Sequence, residues 1–185
     1  ITKLTKLITQ SYAEEKTTQR IGEVFLPSRE KMVETLELIQ QLLFPGYYGR
    51  KQLTKENLPY HVGNLVMEIG KHLTEQIYHC QCATRCKENC ADECREQTCW
   101  QQAEQTAHDF LSKVPEIRQA LALDAQAFYD GDPAAKNVEE VIYCYPGIRA
   151  ISSYRIAHLL LKLDVPIIPR IITEMAHSET GIDIH

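Results

Sequence analysis

Apolar residues recur at helical spacing through the first half of this chain. Ser28 is a good helix N-cap, and Pro45-Gly46 would stop a helix that begins there. The apolar stripe between them consists of Met32, Val33, Leu36, Ile39, Leu42 and Leu43. A second helix is predicted from Leu58-Pro59, since proline is accepted in the first turn. Its inward positions are Val62, Leu65, Val66, Ile69, Leu73 and Ile77.

Proline and asparagine mark the helix starts in the second half. The predicted segments are Glu116 to Tyr129 after Pro115, Val138 to about Tyr143 after Asn137, Gly147 to Leu163 after Pro146, and a last helix from Pro166 or Pro169 to near Gly181. Runs with the period-two alternation of a strand are nearly absent. The pattern therefore predicts an all-α fold, a multi-helix bundle.

Two short segments interrupt this helical texture. Asp130-Gly131 is predicted to form a left-handed helix cap, and Pro133 would keep the helix from resuming, so that Asp132 is held at a turn. The closing Gly181-Ile182-Asp183-Ile184-His185 alternates apolar and polar residues, as the beginning of an extended strand does. We therefore expect the Asp132 carboxylate to be fixed at a turn and the Asp183 carboxylate to lie at the start of a strand.

Composition limits the classes of partner. The 185 residues suffice for one domain, with a net charge of −5 and a pI near 5.8, and the basic residues are scattered. A nucleic-acid or anionic-membrane partner is therefore not expected. The chain has no apolar run of membrane-spanning length and no signal-peptide core at its start, so the expected location is the cytoplasm.

Six of the seven cysteines lie close together in the sequence. They are Cys80, Cys82, Cys86, Cys90, Cys94 and Cys99. Clustered thiolates in a cytoplasmic protein suggest a metal or iron–sulfur site, although the spacing matches no common zinc or ferredoxin pattern. The cysteines could instead pack as small apolar residues or form disulfides on oxidation. In an undistorted helix a spacing of four leaves the Cβ atoms about 5 to 6 Å apart, which is too far for a disulfide.

Three segments in order carry a family resemblance. They are Tyr129 to Ala135 with its Asp-Pro-Ala, Tyr154-Arg155-Ile156-Ala157-His158, and Gly181 to His185. Together they resemble the serine O-acetyltransferase family. The resemblance implies that residues 1–180 form the N-terminal helical domain, with a Cys-rich insert at about 79–100. Residues 181–185 would then open the first strand of a left-handed parallel β-helix of hexapeptide repeats, which is missing here, so the sequence resembles a piece of a longer protein.

The resemblance also implies roles for the two carboxylates. Asp132 matches the aspartate that binds the substrate amino acid, and L-cysteine, the family's end-product inhibitor, would occupy the same place. Asp183 matches the carboxylate that orients the catalytic histidine, which removes the serine hydroxyl proton during attack on acetyl-CoA. That histidine would lie downstream. His158, on a helix beside leucines, is interpreted as a packed and hydrogen-bonded structural residue, and His185 as positional.

Partners follow from the same resemblance. The intact enzyme would use L-serine and acetyl-CoA and form homo-oligomers, trimers or hexamers, to which an apolar run such as Leu159, Leu160, Leu161 and Leu163 would be suited. Its other partner, O-acetylserine sulfhydrylase, would dock only on a C-terminal tail beyond this sequence. Two further hypotheses are a helical metal-binding or redox module built on the cysteine cluster and a purely structural assembly domain.

Overall fold

A computed structural model describes residues 1–23, 25–85 and 93–184, without the side chains of residues 85 and 93–96. Eight helices account for most of these residues. They are α1 (Thr2–Glu14), α2 (Arg29–Leu43), α3 (Leu58–Arg85), α4 (Glu93–Ser112), α5 (Val114–Gly131), α6 (Val138–Cys144), α7 (Pro146–Lys162) and α8 (Ile168–Thr180). No strand occurs among the described residues, so the predicted all-α class is confirmed.

Helix α2 begins as its sequence predicts. The Ser28 hydroxyl accepts a hydrogen bond from the Lys31 amide at 3.2 Å, which satisfies one of the free N–H groups of the first turn. Most of the predicted stripe is buried, but Val33 is exposed. Two polar residues are buried instead, because each has a partner. Thr35 donates to the Lys31 carbonyl at 2.7 Å, and the Gln40 amide donates to the Ser152 hydroxyl at 2.7 Å.

Helices α3 and α4 pack along each other as an antiparallel pair. The direction follows from two contacts: the rings of Tyr78 and Trp100 lie 5.4 Å apart, and Leu111 lies beside Gly70. The α3 residues buried in the core are Leu65, Ile69, Leu73, Ile77 and Cys80, and those of α4 include Ala103, Ala107 and Phe110. The buried α4 positions thus combine small alanines with the large ring of Phe110.

Arginines join helices that are distant in sequence. On α7, Arg149 donates to Glu179 on α8 at 2.7 Å and also pairs with Glu37 on α2. On α5, Arg118 donates to the carbonyls of Leu42, at 3.2 Å, and Leu43, which are among the last carbonyls of α2. The guanidinium therefore caps a helix C-terminus, where a cation is favoured.

The predicted left-handed cap at Asp130-Gly131 is wrong. Gly131 is not among the residues with positive φ and belongs to α5. The helix ends at Gly131, because Asp132 turns to an extended conformation (φ −118°, ψ 101°) before Pro133. The left-handed cap occurs at the end of α8 instead. There Gly181 has φ 71°, and its N–H donates to the His177 carbonyl at 2.8 Å.

Helix α1 has no buried residue, and Leu4, Leu7 and Ile8 are exposed on it. The apolar run that includes Leu160 and Leu161 on α7 does not form a continuous exposed patch. Leu160 is fully buried, whereas Leu161 is 61% exposed. None of the helices in the described part of the chain combines the length and the apolar character needed to cross a bilayer.

Candidate functional site

The Asp132 turn joins α5 to α6. Its carboxylate oxygen Oδ1 accepts a hydrogen bond from the Ala134 amide at 2.9 Å, and its own carbonyl accepts one from the Ala135 amide at 3.1 Å. These bonds form a tight turn around Pro133. The aspartate thus plays the local capping role that such a residue commonly has.

A second donor reaches the other carboxylate oxygen. The Tyr145 hydroxyl donates to Asp132 Oδ2 at 2.5 Å. This bond, together with the weaker effect of the Ala134 amide, lowers the pKa of Asp132 below its ordinary value. In return, the bond to Asp132 raises the pKa of Tyr145 to about 12. The pair therefore consists of a carboxylate and a neutral phenol over the whole physiological range. The sequence pattern did not indicate Tyr145 as a site residue.

The closing segment packs beside the same helix ends. Ile182 and Ile184 line an apolar cavity of about 430 Å³ together with Phe128, near the end of α5, and Gly147, at the start of α7. A Cβ atom on Gly147 would come within 2.6 Å of the Phe128 ring, so glycine permits this close packing. Asp183, between the two isoleucines, is exposed. The alternation predicted for residues 182–184 is therefore present, although these residues are not in a strand.

The Tyr-Arg-Ile-Ala-His segment connects α7 to its neighbours. Arg155 makes a two-pronged ion pair with Asp124 on α5, at 2.6 and 2.7 Å. Ile156 is buried, and the ring of His158 stacks on that of Tyr154 with 5.4 Å between centroids. This stacking is a packing contact of His158, and the hydrogen bond expected for it is not found among the described residues.

The cysteine cluster is described only in part. Cys80 is fully buried in the core, and burial raises the pKa of its thiol to about 12. Burial therefore disfavours the charged thiolate form of this side chain. Cys82 is also buried, and Cys99 is half-buried. Cys86, Cys90 and the Cys94 side chain lie outside the described residues.

The described residues give the metal hypothesis no support. Nowhere in residues 1–23, 25–85 and 93–184 do three or more potential ligands form a group that could hold a metal ion. For Cys80 and Cys82 the observed burial favours the packing interpretation instead.

A short helix separates Asp132 from Tyr145. Asn137 caps α6, accepting a hydrogen bond from the Glu140 amide at 2.7 Å. We expect Asn137→Ala to lower the free energy of unfolding by about 1 kcal/mol, because the cap bond is lost. Urea unfolding followed by circular dichroism measures this change.

Asn137→Ser is the matched control for this variant. Serine keeps a side-chain oxygen that can accept the same bond, so its cost should be no more than a few tenths of a kcal/mol. Equal destabilisation by alanine and serine would contradict the capping role.

Sequence comparisons identify relatives of this chain. The family model described as "Serine acetyltransferase, N-terminal" matches residues 70–153, a range that includes Asp132 and Tyr145. The plasmid serine acetyltransferase of Synechococcus elongatus is 38% identical over 163 residues. That alignment covers 86% of this chain and 50% of the relative, so the chain spans about half of the relative's length.

Solved structures agree with the sequence matches. Serine acetyltransferase isoform 3 from Entamoeba histolytica, in complex with cysteine, has a TM-score of 0.64 and 29% identity, over 97% of this chain and 56% of that one. Serine acetyltransferase 1 from the same organism, in complex with L-cysteine, has a TM-score of 0.63 and 28% identity, over 87% of this chain and 50% of that one.

The helical fold and the matched region are those of an N-terminal domain found in serine acetyltransferases. The chain belongs to the serine acetyltransferase family and corresponds to the family's N-terminal domain.

Proposed function

We propose that this domain belongs to an enzyme that transfers acetyl from acetyl-CoA to L-serine, a step of cysteine biosynthesis. The observation that supports this best is the Asp132 turn, which lies within the region matched by the family and carries an ionised carboxylate held by two donors. In this proposal residues 1–180 are the helical domain, and residues 181–185 lead into a repeat domain that binds acetyl-CoA.

Asp132 binds the ammonium group of the substrate in this proposal. A carboxylate offers about four acceptor positions on its two oxygens, and the Ala134 amide and the Tyr145 hydroxyl use two of them. The remaining positions can accept from an ammonium group by charge-assisted hydrogen bonds, which are stronger than neutral ones. The two donors lower the pKa of this carboxylate and so favour the ionised form that the task needs.

Asp183 has the second proposed role. It accepts a hydrogen bond from the catalytic histidine and thereby sets the tautomer in which that base can take the serine hydroxyl proton. Acetyl passes directly to serine without an acyl-enzyme. The packing of Ile182 and Ile184 beside the ends of α5 and α7 supports this role, because it anchors the chain on both sides of the exposed Asp183.

L-cysteine is the proposed inhibitor. It carries the same ammonium and carboxylate groups as L-serine, so a site that recognises these groups accepts both. The two Entamoeba histolytica serine acetyltransferases are similar to this chain and are described in complex with cysteine.

The proposed assembly is a homo-oligomer, a trimer or hexamer, in which helical domains meet. Exposed apolar residues on α1 and Leu161 on α7 support such contacts. O-acetylserine sulfhydrylase would bind a C-terminal tail of the enzyme and not these residues.

An activity assay tests the proposal. The enzyme that contains this domain should form O-acetylserine from acetyl-CoA and L-serine. The reaction is monitored by the release of the CoA thiol, and the product is identified by mass spectrometry. Residues 1–185 alone should form none, because the histidine base and the acetyl-CoA groove belong to the repeat domain in this proposal.

Two results would contradict the proposal. One is the absence of O-acetylserine with the enzyme at saturating substrates. The other is turnover by residues 1–185 alone at a rate comparable with that of the enzyme, which would mean that the essential groups lie in this domain.

A further inference from the structure

We propose that Tyr145 is a positioning residue for substrate binding, holding the Asp132 carboxylate in the orientation that receives the serine ammonium group. This inference rests on the proposed function of Asp132. Tyr145 contacts the Asp132 carboxylate, and the sequence pattern did not single it out. The observation behind this role is the contact between the two side chains, which lie 13 residues apart in the sequence.

The backbone of Tyr145 is fixed from both sides. The residue ends α6, where its N–H donates to the Val141 carbonyl at 3.1 Å, and it is also the N-cap of α7. Pro146 follows it, which favours the extended conformation observed (φ −84°, ψ 123°). The side chain is half-buried. The phenol hydroxyl therefore starts from a rigid helix junction and not from a loose loop.

The two donors hold different oxygens of Asp132. With only the Ala134 amide on Oδ1, the carboxylate could rotate about its terminal torsion, which is broad for aspartate. The Tyr145 hydroxyl on Oδ2 fixes the plane of the group. One acceptor position on each oxygen then remains for a ligand. A preoriented acceptor lowers the ordering cost of binding and should therefore act mainly on affinity for the amino acid.

Among the described residues, no cationic side chain forms an ion pair with the Asp132 carboxylate. The donors to the Asp132 carboxylate are the neutral Tyr145 hydroxyl and the Ala134 amide. Lys136, four residues on, is exposed, and its backbone N–H bonds to Glu140. A charged ligand thus meets a carboxylate that is oriented by neutral donors.

Titration of residues 1–185 tests the contact itself. In Tyr145→Phe, which removes only the hydroxyl, the pKa of Asp132 followed by carboxyl carbon NMR should rise toward its ordinary value. Tyr143→Phe is the matched control, because that exposed tyrosine lies two residues away and stacks its ring on Tyr48. Its effect on the Asp132 pKa should be undetectable. An unchanged Asp132 pKa in Tyr145→Phe would overturn the proposal. This holds even if the substitution lowers the thermal stability, because a purely structural role of Tyr145 would explain that loss.

Kinetics of the enzyme containing this domain test the consequence. Tyr145→Phe should raise the KM for L-serine about fivefold and leave kcat and the KM for acetyl-CoA within about twofold, the pattern of lost uniform binding. Tyr143→Phe should match the unsubstituted enzyme. A fall in kcat with an unchanged KM for serine would overturn the positioning role, because a general loss of folded enzyme gives that pattern.

Asp132→Asn separates failure of this inference from failure of the proposed function. If Asp132→Asn raises the KM for serine but Tyr145→Phe does not, Asp132 binds substrate without help from Tyr145 and only the inference fails. If Asp132→Asn leaves that KM unchanged, the proposed role of Asp132 fails and the positioning role with it.

Discussion

Asp132→Asn should raise the KM for L-serine about a hundredfold in the enzyme that contains this domain, which corresponds to about 2.7 kcal/mol of binding. The substitution preserves shape and replaces a carboxylate that has a depressed pKa by a neutral amide. The proposed bond to the substrate ammonium then loses its charge assistance, and such bonds contribute about 1.5–3 kcal/mol. Steady-state kinetics with serine varied at saturating acetyl-CoA measure the change.

Asp130→Asn is the matched control for this prediction. It makes the same chemical change two residues earlier, at an exposed aspartate that accepts a hydrogen bond from Gln126 at 2.7 Å. Its KM for serine should stay within about twofold of the unsubstituted value. If both substitutions weakened serine binding equally, the effect would come from net charge near the turn and not from Asp132.

Phe110→Ala should lower the free energy of unfolding by about 4 kcal/mol, the largest effect on stability that we expect. Phe110 is fully buried where α4 packs on α3, and its removal leaves a cavity that the surrounding helices can close only in part. Urea unfolding of residues 1–185 measures the change, provided that the variant still shows a cooperative transition.

Phe25→Ala and Phe110→Leu complete this test. Phe25 is 80% exposed, so its removal should change the free energy of unfolding by less than about 0.5 kcal/mol. Leucine at position 110 refills much of the cavity and should cost about 1.5 kcal/mol. Similar losses for Phe25→Ala and Phe110→Ala would indicate that the packing between α3 and α4 contributes little to stability.

The helix pattern was predictable because most boundaries have local causes. Ser28 and Asn137 cap their helices as expected, and Pro115, Pro146 and Pro169 lie in first turns. Helix α4 is different, since its sequence is rich in polar residues and its buried positions include small alanines. Nothing in its own periodicity separates it from a solvated segment. The apolar stripe of α3 supplies the surface that makes those alanines part of a core.

Exposure at single positions was less predictable. Val33 and Val66 belong to the predicted apolar stripes, yet each is exposed by more than a third. Conversely, the polar Gln40 is buried because Ser152, more than a hundred residues away, accepts its hydrogen bond. Periodicity predicts which side of a helix is buried, whereas packing against the neighbouring helix decides how many positions on that side are buried.

The candidate site shows the same division. The Asp-Pro-Ala motif identifies Asp132 from local sequence and family resemblance. Its partner Tyr145 could not be found in that way, because a tyrosine before a proline is ordinary and only the return of the chain through α6 brings the hydroxyl to the carboxylate. Asp124 and Arg155 are likewise 31 residues apart, and their pairing depends on the packing of α5 against α7.

By itself, the sequence determined the all-α class, most helix starts, the turn at Asp132 and the family, since each depends on neighbouring residues or on short motifs. Only the tertiary structure decided which polar groups are paired, which cysteine thiols are buried and what orients the Asp132 carboxylate. The physical reason is that hydrogen bonds and desolvation depend on distances between segments that the chain brings together only when it folds.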